Sequence, residues 1–148
     1  EIQALTTAQA AALSTGFVSA LTNTQLSKLD AEDVARLSTS AVSALKSTQI
    51  QGLSSAQVAA LTTDQAANLS TAALSGLSAS QVAAMETQDL AQLSTTNIRS
   101  LTPAALAGLT TTQITSLSTD ALNALSSAQV NALTSAQLQA LTPLKQLL

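Results

Sequence analysis

Ser54-Ser55-Ala56-Gln57-Val58-Ala59-Ala60-Leu61-Thr62-Thr63-Asp64-Gln65 holds one full copy of an eight-residue unit and the start of the next. Leucine recurs at every eighth residue from Leu5 to Leu141, with Met85 as the single replacement, and no insertion or deletion breaks the count. An unbroken short period over nearly a whole chain means one small unit stacked many times. Positions are numbered from the residue after each leucine. Position 1 is then Ser or Thr except at Asp30, Lys46 and Glu86, and position 4 is most often Gln. Position 5 is usually aliphatic (Val34, Ile50, Val82, Ile114), position 7 usually small and position 8 Leu.

One continuous helix cannot use this period. At about 100° per residue an octad turns roughly 800°, so its apolar pair drifts by about 80° per repeat and winds around the rod. An even period suits a β-solenoid, but positions 5 and 8 would then face opposite sides. One short helix per octad fits better. Ser or Thr followed three residues later by Gln is a capping box, in which each side chain satisfies the other residue's free backbone N–H. Thr6/Gln9, Thr62/Gln65, Thr110/Gln113 and Thr134/Gln137 are intact examples, and Asp30/Asp33 reads as an acidic relative. Both prolines, Pro103 and Pro143, fall at position 2. That is the first helical position, where proline is best tolerated. Each helix is therefore expected to start at position 2 and end near Leu, with positions 5 and 8 on one face.

Ordering eight residues of backbone costs more than burying two aliphatic side chains returns, so an octad folds only against its neighbours. The expected fold is all-α: a tightly wound α-solenoid of tandem octads over residues 1–148, one short helix per octad. Ala replaces Gln at position 4 in Ala41, Ala73, Ala105 and Ala121, and the spacings between them are all even numbers of octads. Even spacings point to two octads per coil, in two opposed layers, and to a rod of roughly 80 Å; three octads per coil is the alternative. Small residues at position 7 (Ala60, Gly76, Ala84, Gly108) let neighbouring helices approach, although Lys28, Arg36, Asn68 and Gln92 stand there too. Glu1 lies at position 4, and Thr142–Leu148 loses the register at position 5. Neither end carries a polar capping repeat, so the chain reads as a fragment of a longer array, with ends open to end-to-end self-association.

Chemistry is scarce. The chain has one Phe, no Tyr, Trp, His or Cys, and 9% charged residues, with a net charge of −3. That charge is too weak and scattered for nucleic acid, which needs a basic stripe. No apolar run approaches the ~18 residues of a membrane span, and the first residues lack the pattern of a signal peptide. Without Cys there are no disulfides or thiolate metal sites, which leaves the compartment open. Ser and Thr abound, but no His or Cys stands by as base or nucleophile. Two acidic groups, Asp30/Glu32/Asp33 and Glu86/Asp89, are candidates for acid–base work or weak calcium binding. Each sits in the first turn of an expected helix, where the macrodipole favours acids, and is read as structural. The expectation is no catalytic, cofactor-binding or metal-binding residue, no cofactor, and no enzyme. Thr95-Thr96 and Thr110-Thr111-Thr112 raise ice binding as an alternative, against which Ser and Thr interchange freely. Phe17, in place of the capping Gln, is expected to pack near the chain start.

The pattern in Val58-Ala59-Ala60-Leu61-Thr62-Thr63-Asp64-Gln65 resembles octad arrays of very large bacterial secreted or surface proteins, often labelled adhesin-like, haemagglutinin or haem-utilisation exoproteins. The resemblance implies a helical solenoid serving as stalk or spacer, secreted or on the cell surface. No His, Tyr or Cys is present for axial haem ligation, so a haem role does not carry over. A looser similarity links the chain to the short helical repeats of the mesothelin–stereocilin family, whose loops and cysteines it lacks. A structural spacer is thus the first functional expectation. A binding module offering a Ser/Thr/Gln face to protein, glycan or ice is the second, and a designed consensus repeat the third.

Overall fold

A computed structural model describes residues 2–145. A short 3-10 turn, Ile2–Ala4, precedes seventeen helices, and no strand occurs among the described residues. They are α1 Thr7–Ala11, α2 Thr15–Ala20, α3 Asn23–Leu26, α4 Ala31–Arg36, α5 Thr39–Ser43 and α6 Ser47–Gln51. Next come α7 Ser55–Ala59, α8 Thr63–Ala67, α9 Thr71–Ser75, α10 Ala79–Ala84, α11 Thr87–Ala91 and α12 Thr95–Ser100. The last are α13 Pro103–Ala107, α14 Thr111–Ser116, α15 Thr119–Asn123, α16 Ser127–Ala132 and α17 Ser135–Lys145. Each octad from residue 6 to residue 141 thus supplies one helix beginning at its position 2, as the capping pattern requires.

The corners need no special residue. Leu21 and Thr22 are both extended, at φ −66°, ψ 138° and φ −76°, ψ 161°, and the same pair of conformations recurs at Leu117 and Ser118. No described residue has a positive φ, glycines included. Two consecutive extended residues redirect the chain without the left-handed residue on which many helix ends rely. This explains how so many turns coexist with so few glycines.

Helices stack at a spacing of three. The packed pairs run α1 with α4, α2 with α5, α3 with α6, and onward to α14 with α17. One coil is therefore three octads, not the two inferred from the alanine spacing. The physical reason lies in the corners: two opposed layers would need a full reversal at every junction. The extended Leu–Ser/Thr pair makes a wider bend, and three bends close one coil. The stack is correspondingly shorter, roughly 50 Å for nearly six coils at helix-packing distance.

Positions 5 and 8 form one continuous core, from Val18 and Leu21 through Ile50, Leu53, Val82 and Met85 to Ile114 and Leu117. Position 7 of each helix meets position 2 of the helix one coil earlier. A Cβ on Gly76 would lie 2.5 Å from the Ser47 carbonyl oxygen, and one on Gly108 would lie 2.6 Å from Cα, Cβ and O of Ala79. Pro103 opens α13 as expected. Pro143 does not open a helix: α17 runs through it to Lys145. There the Thr142 hydroxyl donates back to the Leu138 carbonyl at 2.9 Å instead of capping a new turn. Lys145 stands where the box requires Gln or Glu. The residues after 145, with the lost register at position 5, lie outside the described residues.

Gly108→Ala should lower stability by about 1–3 kcal/mol, because the added methyl meets backbone that cannot move aside. Gly16→Ala, with nothing within 4 Å of the new Cβ, should raise it by about 0.5–1 kcal/mol. Urea unfolding followed by far-ultraviolet circular dichroism measures both, and equal effects would contradict the close approach at position 7.

Candidate functional site

Position 4 carries the most elaborate polar chemistry of the chain. Gln49, Gln57, Gln65, Gln81, Gln113, Gln129 and Gln137 are all buried. In each, Oε1 accepts the N–H of its own helix-capping residue at 2.8–3.0 Å, from Lys46 to Thr134. Except at Lys46, the cap hydroxyl in return accepts the glutamine N–H at 3.1–3.3 Å. That much is the capping box.

The amide nitrogen does something the box does not contain. Gln81 Nε2 donates to the carbonyls of Ile50 and Leu53 at 2.7 and 2.8 Å. Gln57 donates to Leu26 and Leu29 at 2.8 and 2.7 Å, and Gln113 to Val82 and Met85 at 3.1 and 2.7 Å. The offsets are constant: 31 and 28 residues back, at positions 5 and 8 of the octad four earlier. That octad ends at the corner directly beneath. Its last carbonyls have no intrahelical partner, and in a buried corner they must find one. Only one orientation of the amide, oxygen toward the cap and nitrogen toward the corner, satisfies every group. The glutamines thus form ladders along two corners of the solenoid, Gln57, Gln81 and Gln129 on one and Gln65, Gln113 and Gln137 on the other, while the third corner has Gln49 alone.

Departures from Gln show what the position demands. Gln9 and Gln25 stand too near the chain start to have a corner beneath them, and they complete only the box. Asn97 is one methylene shorter, and its Nδ2 reaches only the Ala67 carbonyl, at 3.5 Å. Ala73, Ala105 and Ala121 abandon the ladder and are followed by buried or half-buried Leu74, Leu106 and Leu122. Phe17 projects 46% exposed beside Ile2, Gln3, Thr24, Gln25 and Lys28, around a hollow of about 580 Å³. It lies near the chain start as expected, yet largely in solvent.

The acidic groups do not converge. Asp33 and Asp89, at position 4, are buried, whereas Asp30, Glu32 and Glu86 are exposed. Asp30 and Glu86 start their helices without a side-chain cap, so Asp30/Asp33 is not the expected acidic box. Asp89 lacks the box as well: its Oδ1 accepts the Thr63 hydroxyl at 2.8 Å. Burial pushes its carboxyl above the usual carboxylate value; the Thr63 hydrogen bond opposes this and the Glu86 charge adds to it. No group of three or more His, Cys, Asp or Glu among the described residues could hold a metal ion. Of the threonine runs, Thr110 is spent on its cap, while Thr95, Thr96, Thr111 and Thr112 face solvent. Thr95 and Thr96 border an open hollow of about 410 Å³ with Arg99, Asp120, Asn123 and Ala124. No described helix is long and apolar enough to cross a membrane.

Sequence reasoning found the box and missed the ladder. The signal available was the amide nitrogen, a donor the box leaves unused.

Residues 26–63, 34–71, 82–119 and 115–143 each match the model of the ALTTAQ repeat. The first two matches overlap in registers one octad apart, so a single octad is the step of the array. No curated protein and no solved structure matches the chain.

Gln57→Glu separates the two halves of the side chain. The new carboxylate keeps the acceptor for the cap but points an acceptor at the Leu26 and Leu29 carbonyls. A loss of about 2–4 kcal/mol is expected at pH 7. Its folded pKa would be raised, so the loss should shrink as pH falls through that raised value and the group gains a donor, and be smallest below about 4. Urea unfolding at pH 7 and pH 3.5 reads both arms; an equal loss at both would show that the amide nitrogen is not what matters.

Proposed function

As the chain belongs to the ALTTAQ repeat family, we propose that it is a structural spacer without catalytic activity. In this reading it is the stalk of a bacterial surface or secreted adhesin-like protein, with recognition residing in other parts of the parent. The observation that carries it is the corner ladder: the seven buried glutamines from Gln49 to Gln137 are committed to fastening one coil to the next. An extended stack of near-identical coils sets distance, and the resemblance to octad arrays of large exoproteins supports the secreted setting.

A second reading, a binding module for glycan, protein or ice, draws on the exposed Thr95, Thr96, Thr111 and Thr112.

The spacer reading makes length the functional variable. In arrays lengthened by whole octads and labelled with a donor and an acceptor dye at the two ends, separation should grow by about 3 Å per octad, a third of a helix-packing distance. Adhesion by the parent should survive such lengthening. Thermal hysteresis in freezing solution, or glycan capture by the array alone, would instead favour the binding module.

A further inference from the structure

Asp89 breaks the ladder in a manner that implies a proton. It occupies position 4 of octad 86–93, and its side chain is 1% exposed. Oδ1 is engaged by the Thr63 hydroxyl, and Oδ2 is buried with no hydrogen-bond partner. The ladder offsets of 28 and 31 residues, constant at seven glutamines, fall from Asp89 on Leu61 and Val58. These two residues close the corner of octad 54–61, and every glutamine of the ladder meets such a pair with an N–H donor. An ionised carboxylate offers only acceptors; a protonated one offers a single O–H.

We propose that Asp89 holds its proton in the folded coil, where its Oδ2 is buried without a partner at the step over the Val58–Leu61 corner, which makes this one step of the stack acid-dependent. The surroundings agree. Burial raises the affinity of the carboxyl for its proton, Thr63 lowers it by bonding the ionised form, and Glu86 raises it. Of the elements packed against α11, α8 carries one titratable group, Asp64, while α14 carries none; α7, at the corner below, carries none either. Among the described residues no cation acts on the group.

The direction of the pH effect follows. A carboxyl whose folded pKa lies above its unfolded value contributes its full stability below about pH 4 and loses it as pH rises through the folded value. The stack is then tightest in acid, and octads 54–61 and 86–93 are where it loosens toward neutrality.

The direct test is the titration of the Asp89 carboxyl carbon by NMR in the full chain. A midpoint a unit or more above about 4 is expected, and a midpoint at or below 4 overturns the proposal. Thermal unfolding between pH 3.5 and pH 7 supplies the second reading. The native chain should lose about 3–8 °C over that range, while Asp89→Gln and Asp89→Asn should remove most of this slope. An unchanged slope in both variants would assign the effect elsewhere and refute the idea. Calcium at millimolar concentration should leave the native chain at pH 7 unaffected. Recovery of its melting point by calcium, absent in Asp89→Asn, would mean that a metal ion fills the place of the proton and would overturn the proposal as well.

Discussion

The structure depends on a primary amide that must face two ways at once. A solenoid with a corner in every octad leaves carbonyls with no helical partner at each corner, and the stack buries them. Whatever closes a corner from above has to present a donor there while still helping to start its own helix. Glutamine has both faces, and its two methylenes give the reach. Asparagine at residue 97 shows the reach failing, with its nitrogen 3.5 Å from the Ala67 carbonyl and away from the paired carbonyls below. Aspartate at residue 89 shows the donor failing, with a buried oxygen left alone.

Cooperation follows from the same interaction. Helices of four to six residues are too short to persist alone in water. Here a helix with glutamine at position 4 is fixed at its start by a side chain whose other end is fastened to the coil below, above a core that no octad could form by itself. Local and long-range order are written into one residue. Where alanine takes its place, at residues 41, 73, 105 and 121, no side-chain amide ties the step to the coil below, and it rests on the packing of positions 5 and 8.

Much of this is legible from the chain alone. The octad yields the helix count, the Ser/Thr-to-Gln spacing tells where each helix begins, and Pro103 agrees. The coil size is not legible in the same way, and the reason is physical. Ala41, Ala73 and Ala105 recur at every fourth octad. An even spacing suggests octads taken in pairs, whereas in a three-sided coil four octads make one full coil plus one corner, so successive alanines stand at different corners. Position 4 looks like a purely local cap because capping accounts for its oxygen. The destination of its nitrogen, in the coil below, is set by how corners superimpose, which no local pattern encodes. Pro143 misleads because a permissive residue at position 2 does not by itself start a helix: the Thr142 hydroxyl turns back to the Leu138 carbonyl instead of capping a new turn. Asp33 and Asp89, grouped with exposed acids by sequence, belong instead with the glutamines.

The constant offsets have a further consequence for how such an array changes in evolution. Each amide counts back from its own position, so the ladder recognises octads and is indifferent to whole coils. Gain or loss of a single octad leaves every later residue its correct partner. It also turns everything downstream by a third of a revolution about the stacking axis. The number of octads therefore sets an azimuth as well as a distance. A parent protein that varies its repeat number by ones would swivel whatever it carries through three facings, and one that varies it by threes would extend without turning.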